Sequence, residues 1–273
     1  MSNTQLTLNS MENAPLGETL AMLLVGQEQS GKSRLAATAP GPVLFIDCDR
    51  KAGSLRGLKD VYTFTPKEPT NPNHQPTGFN QIIELLSMLE KSLALSQLGV
   101  TSDKDIATIV FDSIATLADM ARAYILYTAE KELAFSVTIG GRKYRVPKSW
   151  TAWGAEKEMV TQAIMAARAI PKLNVVCTLH EVAEEAEDST EDNPHYTGRM
   201  SVYPVRYNAL LKYFDEIWRL QRVQKGAPTI QIAPNGNFTK AGSVLGIDSI
   251  TTPDRSYIIQ QARLRQKNSS VAK

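Results

Sequence analysis

The chain has 273 residues, 42% of them hydrophobic and 21% charged, with a formal net charge of +2. That length allows one large domain or two small ones, and so small a charge excludes a chain-wide basic surface, leaving nucleic acid only a local patch to bind. No run of about 18 apolar residues occurs, which argues against a membrane-spanning helix. Residues 1–15 read as a polar, flexible leader without the charged start and apolar centre of a signal peptide. A cytoplasmic protein is therefore expected. Cys48 and Cys177 fit that compartment as buried thiols in apolar runs, without metal-ligand spacing.

The first expected strand is the apolar run over 20–25. Directly behind it, Gly26-Gln27-Glu28-Gln29-Ser30-Gly31-Lys32-Ser33 fits the pattern G-x4-G-K-S/T, and the residues from Ser33 and Arg34 onward suit a helix over 32–38. Glycines let the loop curl so that its amides face phosphate oxygens, and the helix start adds positive dipole. Lys32 suits the terminal phosphates, and the Ser33 hydroxyl suits a Mg²⁺ ion. The segment from Gly26 to Arg34 is thus expected to bind a nucleoside triphosphate, with ATP and Mg²⁺ as cofactors.

Pro40-Gly41-Pro42 interrupts the chain before a second apolar strand, 43–46, and a Pro- and Asn-rich loop covers 65–76. Phe79, Ile82, Ile83, Leu86, Leu89 and Leu93 then recur with helical spacing. A third buried strand is expected over 106–111, followed by a helix with Leu117, Met120, Ala121, Tyr124 and Ile125 on one face. A basic, aromatic-bearing segment follows Gly140-Gly141; then come a helix over 153–170, a strand over 173–179 and an acidic loop over 181–192. From about Asp215 the chain reads as strands joined by turns at Gly226-Ala227-Pro228 and Asn235-Gly236. Alternating strands and helices predict an α/β core over 16–250, a mostly parallel sheet flanked by helices with a C-terminal antiparallel hairpin. A basic tail covers 251–273.

In such sheets the site lies at the carboxyl ends of the strands. There the sequence puts the P-loop, Asp47-Cys48-Asp49, Asp112-Ser113 and His180-Glu181. Asp112 suits the aspartate that holds Mg²⁺ with Ser33. Asp49 and Glu181 are both candidates to orient the attacking water, and His180 could sense the terminal phosphate by hydrogen bonding.

These residues carry a family resemblance. The run Leu44-Phe45-Ile46-Asp47-Cys48-Asp49 resembles the RecA-family strand that ends in Asp-Ala-Glu, and residues 109–117, with the pair Asp112-Ser113, resemble its Walker B segment. Residues 208–214 and 216–222 are similar to the segment returning from the second DNA loop. The resemblance covers about 16–245 and is nearest to the bacteriophage RecA-core ATPases, including the Sak-type single-strand annealing proteins. It implies a RecA-like P-loop ATPase of a phage-infected bacterium that binds single-stranded DNA in recombination or annealing and self-assembles as ring or filament. A single-strand-binding protein or other replication proteins are implied as further partners. By position, Lys32 and Ser33 would hold phosphate and Mg²⁺, Asp112 would be the Walker B acid, and Asp49 would take the catalytic glutamate's place, one methylene shorter. His180 stands where RecA has its nucleotide-sensing glutamine. Lys240 fits a lysine that reaches into a neighbour's nucleotide.

The resemblance puts a first DNA loop at Gly140–Trp153, where Arg142, Lys143, Tyr144, Arg145, Lys148 and Trp150 interleave cations with aromatics, as single strands require. The second, 181–204, is acidic in its first half and would repel phosphate. That acidity leaves open an alternative: a nucleotide-dependent helicase-loading or assembly factor acting through protein contacts. A small-molecule kinase fits less well, since no arginine-rich lid is evident.

Overall fold

The computed structural model describes residues 19–69, 74–128, 134–139, 142–147, 150–185, 196–203, 210–221, 229–231 and 242–243. The expected leader and the basic tail both lie outside these residues. Among those described, the strands are β1 (Ala21–Gly26), β2 (Val43–Asp47), β3 (Val61–Phe64), β4 (Thr108–Asp112), β5 (Ala134–Ile139), β6 (Arg142–Pro147), β7 (Asn174–Glu185), β8 (Tyr196–Tyr203), β9 (Glu216–Gln221), β10 (Thr229–Gln231) and β11 (Gly242–Ser243). The helices are α1 (Lys32–Ala36), α2 (Gly78–Lys91), α3 (Ile114–Thr128) and α4 (Trp150–Ala169).

The main sheet has the order β10-β9-β1-β7-β4-β2-β3, and every pairing from β9 through to β3 is parallel. At the other end, β10 and β11 both pair antiparallel with β9, which supplies the expected late antiparallel element. The order explains the sequence pattern. With both faces covered, strands such as β1 and β2 bury every residue and read as unbroken apolar runs. Ala21, Leu23 and Val25 of β1 join the core made with α2, α3 and α4, while Leu20, Met22 and Leu24 join the opposite core with Leu35 of α1. The sheet is thus a wall between two apolar layers, and its carboxyl edge carries the loops.

Several expectations shift in detail. In α2 the buried face is Phe79, Ile82, Leu85, Leu86 and Leu89, whereas Ile83 is 40% exposed and Leu93 lies past the helix end. β3 was not expected at all: it is a short edge strand, mostly half-buried, with no continuous apolar signature. The acidic loop is corrected in its first part. Glu181–Glu185 continue β7 and pair antiparallel with β8, because the backbone groups of this polar stretch find partners in a second strand. Residues 186–192 of that loop lie outside the described residues.

Candidate nucleotide site

The loop between β1 and α1 is shaped by its glycines. A side chain at Gly26 would put its Cβ 2.4 Å from the Leu220 carbonyl oxygen and 2.9 Å from Ser30 Oγ, so only hydrogen fits. Gly31 sits at φ 93°, in the left-handed region that glycine adopts without strain, and Gln29 at φ 59° completes the curl. Lys32 is turned inward, its Nζ donating to the carbonyls of Gly26 and Gln27, each at 2.7 Å. Burial pulls its ammonium down to about 8, against the opposing fields of Asp112, Asp49, Glu181 and Glu28. A lysine so desolvated gains from an anion placed beside it.

Asp112 ends β4 two strands from β1, with β7 between them. Its carboxylate accepts from Ser33 Oγ at 2.7 Å and from Thr178 Oγ1 at 2.5 Å, so the α1 start and β7 hold it from two sides. The peptide joining it to Ser113 is cis. Asp49, past the end of β2, accepts from Ser113 Oγ at 3.0 Å and from Thr116 Oγ1, and His180 Nε2 stands 3.5 Å from its other oxygen. Burial pushes this carboxyl up, but the hydrogen bonds from His180, Thr116 and Ser113 outweigh it and hold it at about 2. Asp49 is therefore ionised at any physiological pH.

Glu28, Gln29, Ser30, Gly31, Lys32, Ser33, Arg34, Asp49, Asp112 and His180 line one cavity of about 440 Å³, together with Lys51 and Ser54. Gly26 and Gln27 do not line it and act through their carbonyls, which hold Lys32 Nζ. Glu181 is placed differently. Its carboxylate pairs with Arg219 Nε at 2.6 Å, with both side chains almost fully buried, and it is absent from the cavity lining. Burial pushes Glu181 above its ordinary range, with Arg219 opposing. Since Gly26 pairs with His180 on one side and Val25 with Arg219 on the other, this ion pair reaches across β1 at the root of the P-loop.

Thr116, Thr178 and Arg219 were missed by sequence reasoning. Hydroxyls and a strand arginine carry no motif, and only the strand order and the start of α3 bring them to the acids. Asp47 is structural as well: its carboxylate accepts from the amides of Lys51 and Ala52 at 2.9 and 3.2 Å.

The residues fit a nucleoside triphosphate and its cation. Ser30 Oγ is buried without a hydrogen-bond partner among the described residues, in a loop whose root leaves no room for a Cβ. Ser33 and Asp112 offer hard oxygen ligands side by side, the donor set a magnesium ion takes when phosphates and water fill the rest of its shell. Among the described residues no group of three or more His, Cys, Asp or Glu could hold a metal ion.

The residues expected to meet DNA divide. Arg142, Lys143, Tyr144 and Arg145 lie on β6, which pairs with β5 as a separate two-stranded hairpin between α3 and α4. Along the hairpin, Arg145 pairs with Ser136, Tyr144 with Val137, Lys143 with Thr138 and Arg142 with Ile139. Trp150 opens α4, while Lys148 and Lys240 lie outside the described residues.

A parallel sheet with the P-loop after β1, acids after β2 and β4, and helices on both faces defines a RecA-like P-loop nucleotide hydrolase. The chain matches the AAA domain family over residues 18–243 and belongs to it. No curated protein matches it in sequence. Among solved structures it is similar to the RadB recombinase, with 15% identity over 77% of this chain and 80% of that one, at TM-score 0.34. It is also similar to an ATPase from the type III secretion system of pathogenic bacteria, with 12% identity over 92% and 74%, at TM-score 0.43. A third likeness is to the flagellar accessory protein FlaH from Methanocaldococcus jannaschii, with 13% identity over 82% and 83%, at TM-score 0.29. No helix among the described residues is long and apolar enough to cross a membrane.

Proposed function

We propose that this protein is a Mg²⁺-dependent ATPase that binds single-stranded DNA and acts in phage recombination or annealing, assembling protomer on protomer. The observation that carries the reading is the convergence of Lys32, Ser33, Asp49 and Asp112 on one cavity, with a basic hairpin inserted between the helices that follow and precede its strands. Lys32 and the loop amides would hold the phosphates, and Ser33 and Asp112 the cation, which when bound would neutralise charge on the phosphates. Asp49 orients the attacking water. It is ionised and faces the cavity, whereas Glu181 is occupied by Arg219.

The link to DNA runs through α3 and α4. The start of α3 carries Thr116, which grips Asp49, and its other end leads toward β5; α4 leads on to β7 with Thr178 and His180. This connection would let a change at the phosphate reach the β5–β6 hairpin. Fluorescence anisotropy of a labelled oligonucleotide, with and without MgATP at two salt concentrations, tests this. Binding that weakens with salt and depends on nucleotide is expected. If no salt-dependent binding appears in any nucleotide state, the DNA reading is wrong and the protein-loading alternative takes its place.

A further inference from the structure

We propose that Lys51 is a second phosphate-binding cation of this pocket, exchanged from Glu28 to the terminal phosphate, so that the Glu28–Lys51 pair sets a preference for nucleoside triphosphate over diphosphate. The proposal rests on the nucleotide-binding reading above and goes beyond the P-loop motif, which includes neither an acid at position 28 nor a lysine after β2.

Lys51 is held over the cavity by a rigid root. Its amide and that of Ala52 are bound by the carboxylate of Asp47, which is only 4% exposed, and the next turn is tied to α1 by Arg34 Nη1 donating to the Ser54 carbonyl at 2.8 Å. The backbone is fixed while the side chain is not. Lys51 Nζ stands 3.7 Å from Glu28 Oε1, and the two side chains are 70% and 72% exposed. An exposed pair at that distance contributes little to stability and is readily exchanged for a better partner.

A phosphate is such a partner. It carries more charge than a carboxylate, and charge-assisted bonds to it are the stronger kind. Glu28 also lines the cavity that Lys32 and Ser33 line, so its charge stands at the phosphate site itself. An acid there repels polyphosphate unless a cation screens it, and Lys51 is the cation in contact. Selectivity for the third phosphate follows from position. The P-loop amides and Lys32 would serve both nucleotides, whereas Lys51 lines the cavity together with Asp49, the residue assigned above to the water that meets the terminal phosphate.

Isothermal titration with MgATPγS and with MgADP tests this on wild type, Lys51→Ala, Lys51→Arg and Glu28→Gln. Lys51→Ala should weaken ATPγS binding by about tenfold, the scale of one exposed charge-assisted bond, and leave ADP within about twofold. Lys51→Arg should keep the preference, and Glu28→Gln should tighten ATPγS by severalfold. Equal losses for both nucleotides in Lys51→Ala, no loss in either, or weaker ATPγS binding by Glu28→Gln would overturn the proposal. A wild-type protein that binds neither nucleotide would instead overturn the ATP reading beneath it.

Discussion

Replacing Asp49 by Asn separates charge from shape. The amide oxygen can still accept from Ser113 and Thr116, so the loop stays in place while the negative charge is lost. Two consequences follow. A carboxyl held at about 2 instead of its ordinary 3.8 stabilises the folded protein by ~2 kcal/mol at neutral pH. Because the folded value is the depressed one, that stability is fully present above about pH 5 and is lost as pH falls toward 2; roughly half should be gone near pH 3. Urea unfolding of wild type and Asp49→Asn should therefore differ by ~2 kcal/mol at pH 7, and the gap should narrow toward pH 3. Phosphate release should also fall by about a hundredfold or more, the scale of losing a positioned acid–base group, with nucleotide affinity nearly unchanged. Turnover within about threefold of wild type would refute the assignment of the water to Asp49. A stability gap that does not narrow in acid would refute the electrostatic account of its hydrogen bonds.

Lys32 makes the opposite pH statement. Its ammonium is depressed to about 8, and a bound polyphosphate would raise it again, so nucleotide affinity should be flat below pH 8 and fall above it, by up to about tenfold per pH unit; titrations from pH 7 to 9.5 check this. Arg219→Met leaves Glu181 buried without its cation and should cost about 3–5 kcal/mol in urea unfolding, whereas Arg219→Met with Glu181→Gln should recover most of that. The double variant Lys143→Ala with Arg145→Ala removes two cations from the hairpin strand β6. It should weaken oligonucleotide binding and flatten its salt dependence while sparing nucleotide affinity, as read by anisotropy and titration.

What the sequence discloses about this fold follows from burial. β1 and β2 are covered on both faces and read plainly as apolar runs, and the P-loop glycines are legible because loop geometry demands them. β3 at the sheet edge is only partly covered, so it leaves no pattern. The extension of β7 is held by pairing with β8, a tertiary fact that its Glu-rich composition conceals. The site divides in the same way. Asp49, Asp112 and His180 are legible because they close or follow apolar runs in the sequence, but the choice between Asp49 and Glu181 is not. It depends on Arg219 lying across β1 from Glu181, and on Thr116 and Ser113 facing Asp49, relations set by strand order and by where α3 begins.

The most direct test of the central claim is phosphate release from ATP by the wild-type protein and by Lys32→Ala, each with and without single-stranded DNA and Mg²⁺. We expect Mg²⁺-dependent release that single-stranded DNA changes, and none in Lys32→Ala. Equal release by the two proteins, or none by wild type under any of these conditions, would contradict it.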